Sequence, residues 1–249
     1  MKRALAIATC AAAAASAPAP AATPGVPARA AAAGPTVAAM VVGRERVLRE
    51  ATDVRAARRR VKVGGRRCTV AAGTPLAALA GLRLTVRMRD YGSCGRRVRD
   101  AGGLFVKRIG SERNRGQDGW VYKVGRRAGS GGAADATGPF GAGRMRTGDR
   151  LLWFWCEMQR SGGCQRTLEA APDRTAAAPG STVQVTVRGY DDAGRGVPVG
   201  GATVRLGSAS ALTAADGVAT VTVAEAGRLV LTASAPGMVR SFPGEVVGG

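Results

Sequence analysis

The 249-residue chain is 45% hydrophobic and 22% charged, enough for two ordinary domains, and carries 37 basic against 17 acidic side chains, a formal net charge of +20. It has no histidine, which excludes Ser-His-Asp catalysis and leaves any reactive cysteine without its usual base. No run of about 18 apolar residues follows the N-terminal segment, so no later membrane span is predicted.

In chain order, Lys2 and Arg3, an apolar stretch from Ala4 to Ala15 and the small residues Ala19-Pro20-Ala21 have the layout of a secretory signal over residues 1–21. The membrane is then met only through that signal. Ile7-Ala8-Thr9-Cys10 makes a poor lipoprotein box, because Thr9 is ill suited before Cys10. Residues 22–36, rich in Pro, Ala and Gly, are expected to form a flexible tether.

From Val37, an apolar run, Gly43-Arg44-Glu45-Arg46 and Val47-Leu48 predict a hairpin. A helix over Arg44 to Arg60 is the alternative, but it lacks a clear cap. Strands at Val61-Lys62-Val63 and Cys68-Thr69-Val70 flank a Gly64-Gly65 turn. Thr74-Pro75 supplies an N-cap and a proline at the first helical position, with Leu76, Leu79 and Leu82 on one side of a short helix. Leu84, Val86 and Met88 alternate with Arg83, Arg87 and Arg89 as a strand with one basic face, and Leu104-Phe105-Val106 with Ile109 follows.

All three tryptophans lie between 119 and 156. Gly119-Trp120-Val121-Tyr122-Lys123-Val124 and Leu151 to Cys156 predict two paired strands, joined by a Gly-rich loop long enough to suggest function. Trp153 and Trp155 share one strand face with Phe154 opposite, and Trp120 and Tyr122 share another. These four rings either pack on the short helix or, with Arg126, Arg127 and Phe140, line a ligand groove rimmed by Gly138-Pro139-Phe140-Gly141.

Loss of Cys10 with the signal leaves Cys68, Cys94, Cys156 and Cys164, an even number that predicts disulfides in an exported chain. Three pairings are possible. Cys156 with Cys164 closes a short loop and leaves Cys68 with Cys94; the competing zinc site lacks two close Cys-x-x-Cys pairs. The first domain therefore covers residues 37–166 as an α+β unit, a small sheet holding one helix. Residues 167–180, rich in Ala and Pro, are expected to be a linker. Beyond it, period-two alternation at Val183-Val185-Val187, Ala202-Val204-Leu206, Val218 to Val223 and Leu229 to Ala233 predicts an all-β sandwich over 181–249.

The charge is unevenly placed: residues 36–168 hold 28 basic and 10 acidic side chains, and 169–249 hold 6 and 7. Of the 37 basic residues 33 are arginine, whose guanidinium forks suit phosphate and carboxylate. This pattern predicts an anionic partner outside the cell, a soluble ligand or a cell-wall polymer; a coding bias toward arginine is the competing explanation. No helix-turn-helix or zinc-finger spacing supports specific nucleic-acid binding. No phosphate-binding loop, no convergent carboxylates and no metal-ligand spacing appear, so neither an enzyme nor a cofactor is predicted.

Gly73-Thr74-Pro75-Leu76 followed by Leu79, Phe105-Val106 with Ile109-Gly110, the Gly119 to Val124 strand, and Gly148-Asp149 with Trp153 resemble secreted bacterial domains similar to the C-terminal domain of transcobalamin. The resemblance covers roughly Val37 to Cys164 and implies a β-grasp-like, ligand-binding or architectural module with no known reaction. Two features depart from the pattern: Gly125-Arg126-Arg127 stands where Asn-Gly is usual, and the glycine-rich loop is expanded. Over residues 178–247, Gly201-Ala202-Thr203-Val204, Asp216-Gly217-Val218-Ala219 and Ala235-Pro236-Gly237 resemble bacterial immunoglobulin-like and carboxypeptidase-regulatory-like modules, which implies a spacer or adhesion unit.

Overall fold

The computed structural model describes residues 33–249; the signal at 1–21, Cys10 and most of the tether lie outside them. Ten strands and one α-helix build the first unit, in the order β1 (Thr36–Val42), β2 (Val47–Arg55), β3 (Arg59–Val63), β4 (Arg66–Val70), α1 (Pro75–Gly81), β5 (Val86–Asp90), β6 (Leu104–Ile109), β7 (Glu112–Arg113), β8 (Gly119–Val124), β9 (Arg127–Ala128) and β10 (Arg150–Cys156). Val47 to Arg55 is strand, so the hairpin forms and the alternative helix over Arg44 to Arg60 does not. Thr74 caps α1 by accepting the Ala77 N–H at 3.3 Å, and Pro75 opens it, which turns Leu76 and Leu79 into the core.

The main sheet has the order β2-β1-β10-β8-β9, with β1 and β10 parallel in the centre and the outer pairs antiparallel. Two smaller sheets, β3-β4 and β5-β6-β7, accompany it. Strand alternation sorts the central strands into two faces. Val37, Ala39, Val41, Leu151, Trp153 and Trp155 join Leu76, Leu79, Val106 and Ile109 in one core. Met40, Val42, Leu152 and Phe154 point the other way and pack with Val239 and Phe242 of the second unit. Disulfides link Cys68 to Cys94 and Cys156 to Cys164.

The second unit contains β11 (Thr167–Pro172), β12 (Ala176–Ala177), β13 (Thr182–Tyr190), β14 (Gly196–Pro198), β15 (Thr203–Leu206), β16 (Ala209–Leu212), β17 (Val218–Thr222), β18 (Gly227–Ser234) and β19 (Gly244–Gly248). One sheet runs β11-β13-β14 with β17 also on β13, the other β12-β19-β18-β15-β16, and both contribute to a shared apolar core. The expected linker at 167–180 is therefore mostly strand: β11 pairs with β13 along its whole length, and β12 pairs with β19. Its Ala- and Pro-rich composition hid the pattern, because Leu168 is its one large inward side chain, Ala170 is small, and Pro172 is tolerated on an edge strand.

The two units meet over the second face of the main sheet. Lys123, fully buried, reaches across and donates to Thr167 Oγ1 (3.2 Å) and to the carbonyls of Tyr190 and Asp191 (3.0 Å each), with Asp192 Oδ1 at 3.5 Å. Burial pushes its ammonium below the ordinary lysine range, and Asp192 opposes that shift. Arg126 forks onto Glu169, and Arg240 pairs with Glu50 at 3.0 Å.

Candidate functional site

The four aromatic side chains offered as groove lining are core. Trp120 and Trp155 are cross-strand partners 5% exposed each, with ring centroids 5.8 Å apart and edge to face. Tyr122 and Trp153 form the next pair at 5.4 Å. Three of the polar handles are satisfied inside: Trp120 Nε1 donates to the Glu112 carbonyl at 3.0 Å, Trp153 Nε1 to that of Pro75 at 3.4 Å, and the Tyr122 hydroxyl to that of Gly131 at 2.6 Å. Burial first, and the Asp135 carboxylate second, push the Tyr122 hydroxyl up to about 12.

The Gly-rich loop is a packed strap across these rings. The Leu76 N–H donates to the Ala133 carbonyl and the Met145 N–H to that of Gly73, both at 2.8 Å, and Ala134 and Met145 are buried. Gly129 has to be glycine, since a Cβ there would lie 2.1 Å from the Tyr122 ring. The supposed rim at Gly138 to Gly141 folds onto this strap, with the Pro139 carbonyl accepting the N–H groups of Ser130 and Gly131. Phe140 lies under the Arg127 guanidinium at 4.9 Å, and Arg126 is committed to Glu169 and the Tyr190 ring. These three residues sit beyond the C-terminal end of β8, away from the Trp120–Trp155 pair, so no single site gathers the seven.

Trp155 keeps an edge toward an open site. A cleft of about 480 Å³ is lined by Arg44, Glu45 and Arg46 of the β1–β2 turn, by Ser111, Glu112, Arg113 and Arg115 around β7, and by Trp155. The two turns are 68 residues apart in sequence and are tied by Glu112, whose Oε2 accepts the Arg44 N–H at 2.7 Å. Gly43 permits this approach: a Cβ there would lie 2.1 Å from Glu112 Oε1. Asn114 fixes the second turn by donating to the Val106 carbonyl (3.0 Å) and accepting the Trp120 N–H (3.1 Å).

Glu112 is thus occupied by backbone, and Arg44 has Glu157 at 3.5 Å. Among the described residues Arg46, Arg113 and Arg115 have no carboxylate within 4.0 Å. The cleft presents guanidinium donors beside an indole edge, an arrangement suited to holding phosphate or carboxylate. No group of three or more His, Cys, Asp or Glu among the described residues is placed to hold a metal ion.

No family model, curated protein or solved structure matches this chain. The cleft residues escaped the sequence reading because each turn, Arg-Glu-Arg and Glu-Arg-Asn-Arg, looks like an ordinary charged hairpin tip. Only the joining of β1 to β10, and of β10 to β8, brings them together. Lys123 left one signal, a single charge in an otherwise apolar or aromatic strand.

Proposed function

We propose that the protein is an exported, non-enzymatic binding protein whose basic first unit takes an anionic ligand in the Arg46–Arg113–Arg115 cleft. The observation that carries this reading is the convergence of three guanidiniums without carboxylate partners on one cavity walled by Trp155. A β-grasp-like assignment of the first unit is supported by the parallel central pair β1 and β10, the antiparallel strands outside them and the helix on one face. An immunoglobulin-like assignment of the second is supported by its two sheets over one core, and it acts here as a spacer that also covers the main sheet. Export is supported by the signal-like segment at 1–21 and by two cystine bridges; among the described residues no helix is long and apolar enough to cross a membrane.

Because Trp155 walls the cleft, its emission reports occupancy. Titration with inorganic pyrophosphate and with citrate is expected to change tryptophan fluorescence in a salt-sensitive manner, and Arg113→Ala/Arg115→Ala is expected to abolish the change. Emission unmoved by either anion at millimolar concentration overturns the cleft reading. The enclosure of Trp120, Tyr122 and Trp153 would then favour a structural or adhesive surface protein with no small-molecule ligand.

A further inference from the structure

A second surface lies at the other end of β6. Phe105, near the start of that strand, and Ser111, just past its end, are six residues apart, roughly 20 Å along an extended chain. Strand alternation buries Leu104 and Val106 and turns Phe105 outward, while Arg87 and Arg89 face out from β5. Arg89 is the register partner of Phe105. Its guanidinium lies 4.8 Å from the centre of the Tyr91 ring, and the Tyr91 and Phe105 rings are 5.9 Å apart, inclined at 65°. At 65% and 44% exposure these two are the exposed aromatic side chains among the described residues.

Two open depressions are lined in part by the chain on either side of Tyr91 and by the loop that follows it. One, about 410 Å³, is lined by Arg66, Met88, Arg89 and Gly92 among others; the second, about 550 Å³, is lined by Arg58, Arg96, Arg97, Val98 and Arg99. The segment from Arg89 to Arg99 contributes to both. Among the described residues Arg58, Arg66, Arg89, Arg96 and Arg97 have no carboxylate within 4.0 Å. The nearby acids are committed: Asp90 accepts the N–H groups of Gly92 (3.0 Å) and Cys94 (2.9 Å), and Asp100 lies 3.8 Å from Arg99.

The presentation is rigid. Cys94 is bonded to Cys68 on β4, the Thr69 N–H donates to the Gly95 carbonyl at 2.8 Å, and the neck of the loop closes where a Cβ on Gly103 would lie 2.6 Å from the Gly92 nitrogen. Arg96 and Arg97 on this braced loop, with Arg89 on β5, Arg66 on β4 and Arg58 before β3, are five guanidiniums on anchored backbone, which limits the ordering cost of binding repeated anionic groups.

We infer that this face binds an acidic polysaccharide, with the guanidinium forks taking its carboxylates and Tyr91 and Phe105 packing against sugar C–H surfaces. Two shallow depressions joined by one segment suit a linear polymer better than a small molecule. Rings inclined at 65° do not make the parallel platform on which successive bases of a single strand stack. Two rings also offer little apolar area for insertion into a bilayer.

Immobilised polygalacturonate tests this, with neutral dextran, a single-stranded oligothymidylate and phosphatidylglycerol vesicles as comparison arms. The purified protein is expected to bind the polyuronate and not the dextran. Tyr91→Ala, and separately Arg96→Ala/Arg97→Ala, are expected to weaken binding about tenfold or more. The double variant should also lower its salt dependence, as fewer anionic groups are engaged. Near-UV circular dichroism should show Tyr91→Ala folded, since the side chain it removes is exposed. The cleft variant Arg113→Ala/Arg115→Ala should bind polygalacturonate as the unaltered protein does, so this face and the cleft can fail separately. Unchanged affinity in Tyr91→Ala, tighter binding to the oligonucleotide or the vesicles, or loss of polyuronate binding in the cleft variant would each overturn the inference.

Discussion

Residues 36–168 carry 28 basic side chains and residues 169–249 carry 6, yet both regions bury alternating apolar strands in the same way. The regions differ in what their cations do. In the second region four of the six basic residues, Arg174, Arg195, Arg228 and Arg240, have a carboxylate within 4.0 Å. In the first only four of the 28 do: Arg44, Arg99, Lys123 and Arg126. A bias toward arginine in the coding sequence would not by itself confine the excess to one unit. Most of the first unit's positive charge has no carboxylate partner, and self-repulsion makes such an excess a cost to the compact state. That difference is the physical ground for proposing recognition in the first unit and support in the second.

The largest test of the comparison asks whether the two regions are one body. Phe154 is fully buried in the apolar cluster that joins them. Phe154→Ala is expected to cost about 3–5 kcal/mol and to split a single denaturant-induced transition into two, followed by tryptophan emission for the first unit and far-UV circular dichroism for both. One unchanged transition would mean that the units are coupled elsewhere.

Next in size is the polar lock within the same seam. Lys123→Ala leaves the carbonyls of Tyr190 and Asp191 and the Asp192 carboxylate without their cation, and about 3 kcal/mol of stability should be lost. Lys123→Met, which keeps the stem and removes the buried charge, is expected to cost less. Equal losses in urea unfolding would show that packing of the stem, and not the ammonium, holds the regions together.

The smallest effect distinguishes the regions by pH. The Tyr122 hydroxyl is pushed up to about 12, so between its ordinary value of 10.0 and that point the unfolded chain gives up the proton and the folded one keeps it. Stability from this group is complete below 10.0 and declines as pH rises toward 12. Thermal unfolding from pH 9 to 11.5 should show this decline in the first unit, and Tyr122→Phe should flatten it. An identical slope in the variant would assign the decline to other groups.

Local patterns carried much of the architecture. Thr74-Pro75 specifies a capped helix start by itself, the Gly64-Gly65 turn between two β-branched runs specifies a hairpin, and alternation from Val183 to Ala233 specifies the strands of the second region. The cysteine count and spacing led to Cys156 with Cys164 and Cys68 with Cys94, the bridges found.

Period two states that a strand has two faces, but not what covers either. Trp153 and Phe154 were known to point apart; that helix α1 and the strap enclose one side, and the second unit the other, depends on contacts distant in sequence. For the same reason Thr167 to Pro172 looked like a linker until β13 lay beside it, and only the fold shows Tyr190 and Asp191 closing over Lys123. Sequence alone determined most of the elements, the favoured pairing of the cysteines and the placement of positive charge, because these follow from local pattern and residue counts. Only the tertiary structure decided which rings are enclosed and which guanidiniums converge, because burial and electrostatic pairing are properties of groups brought together across the chain.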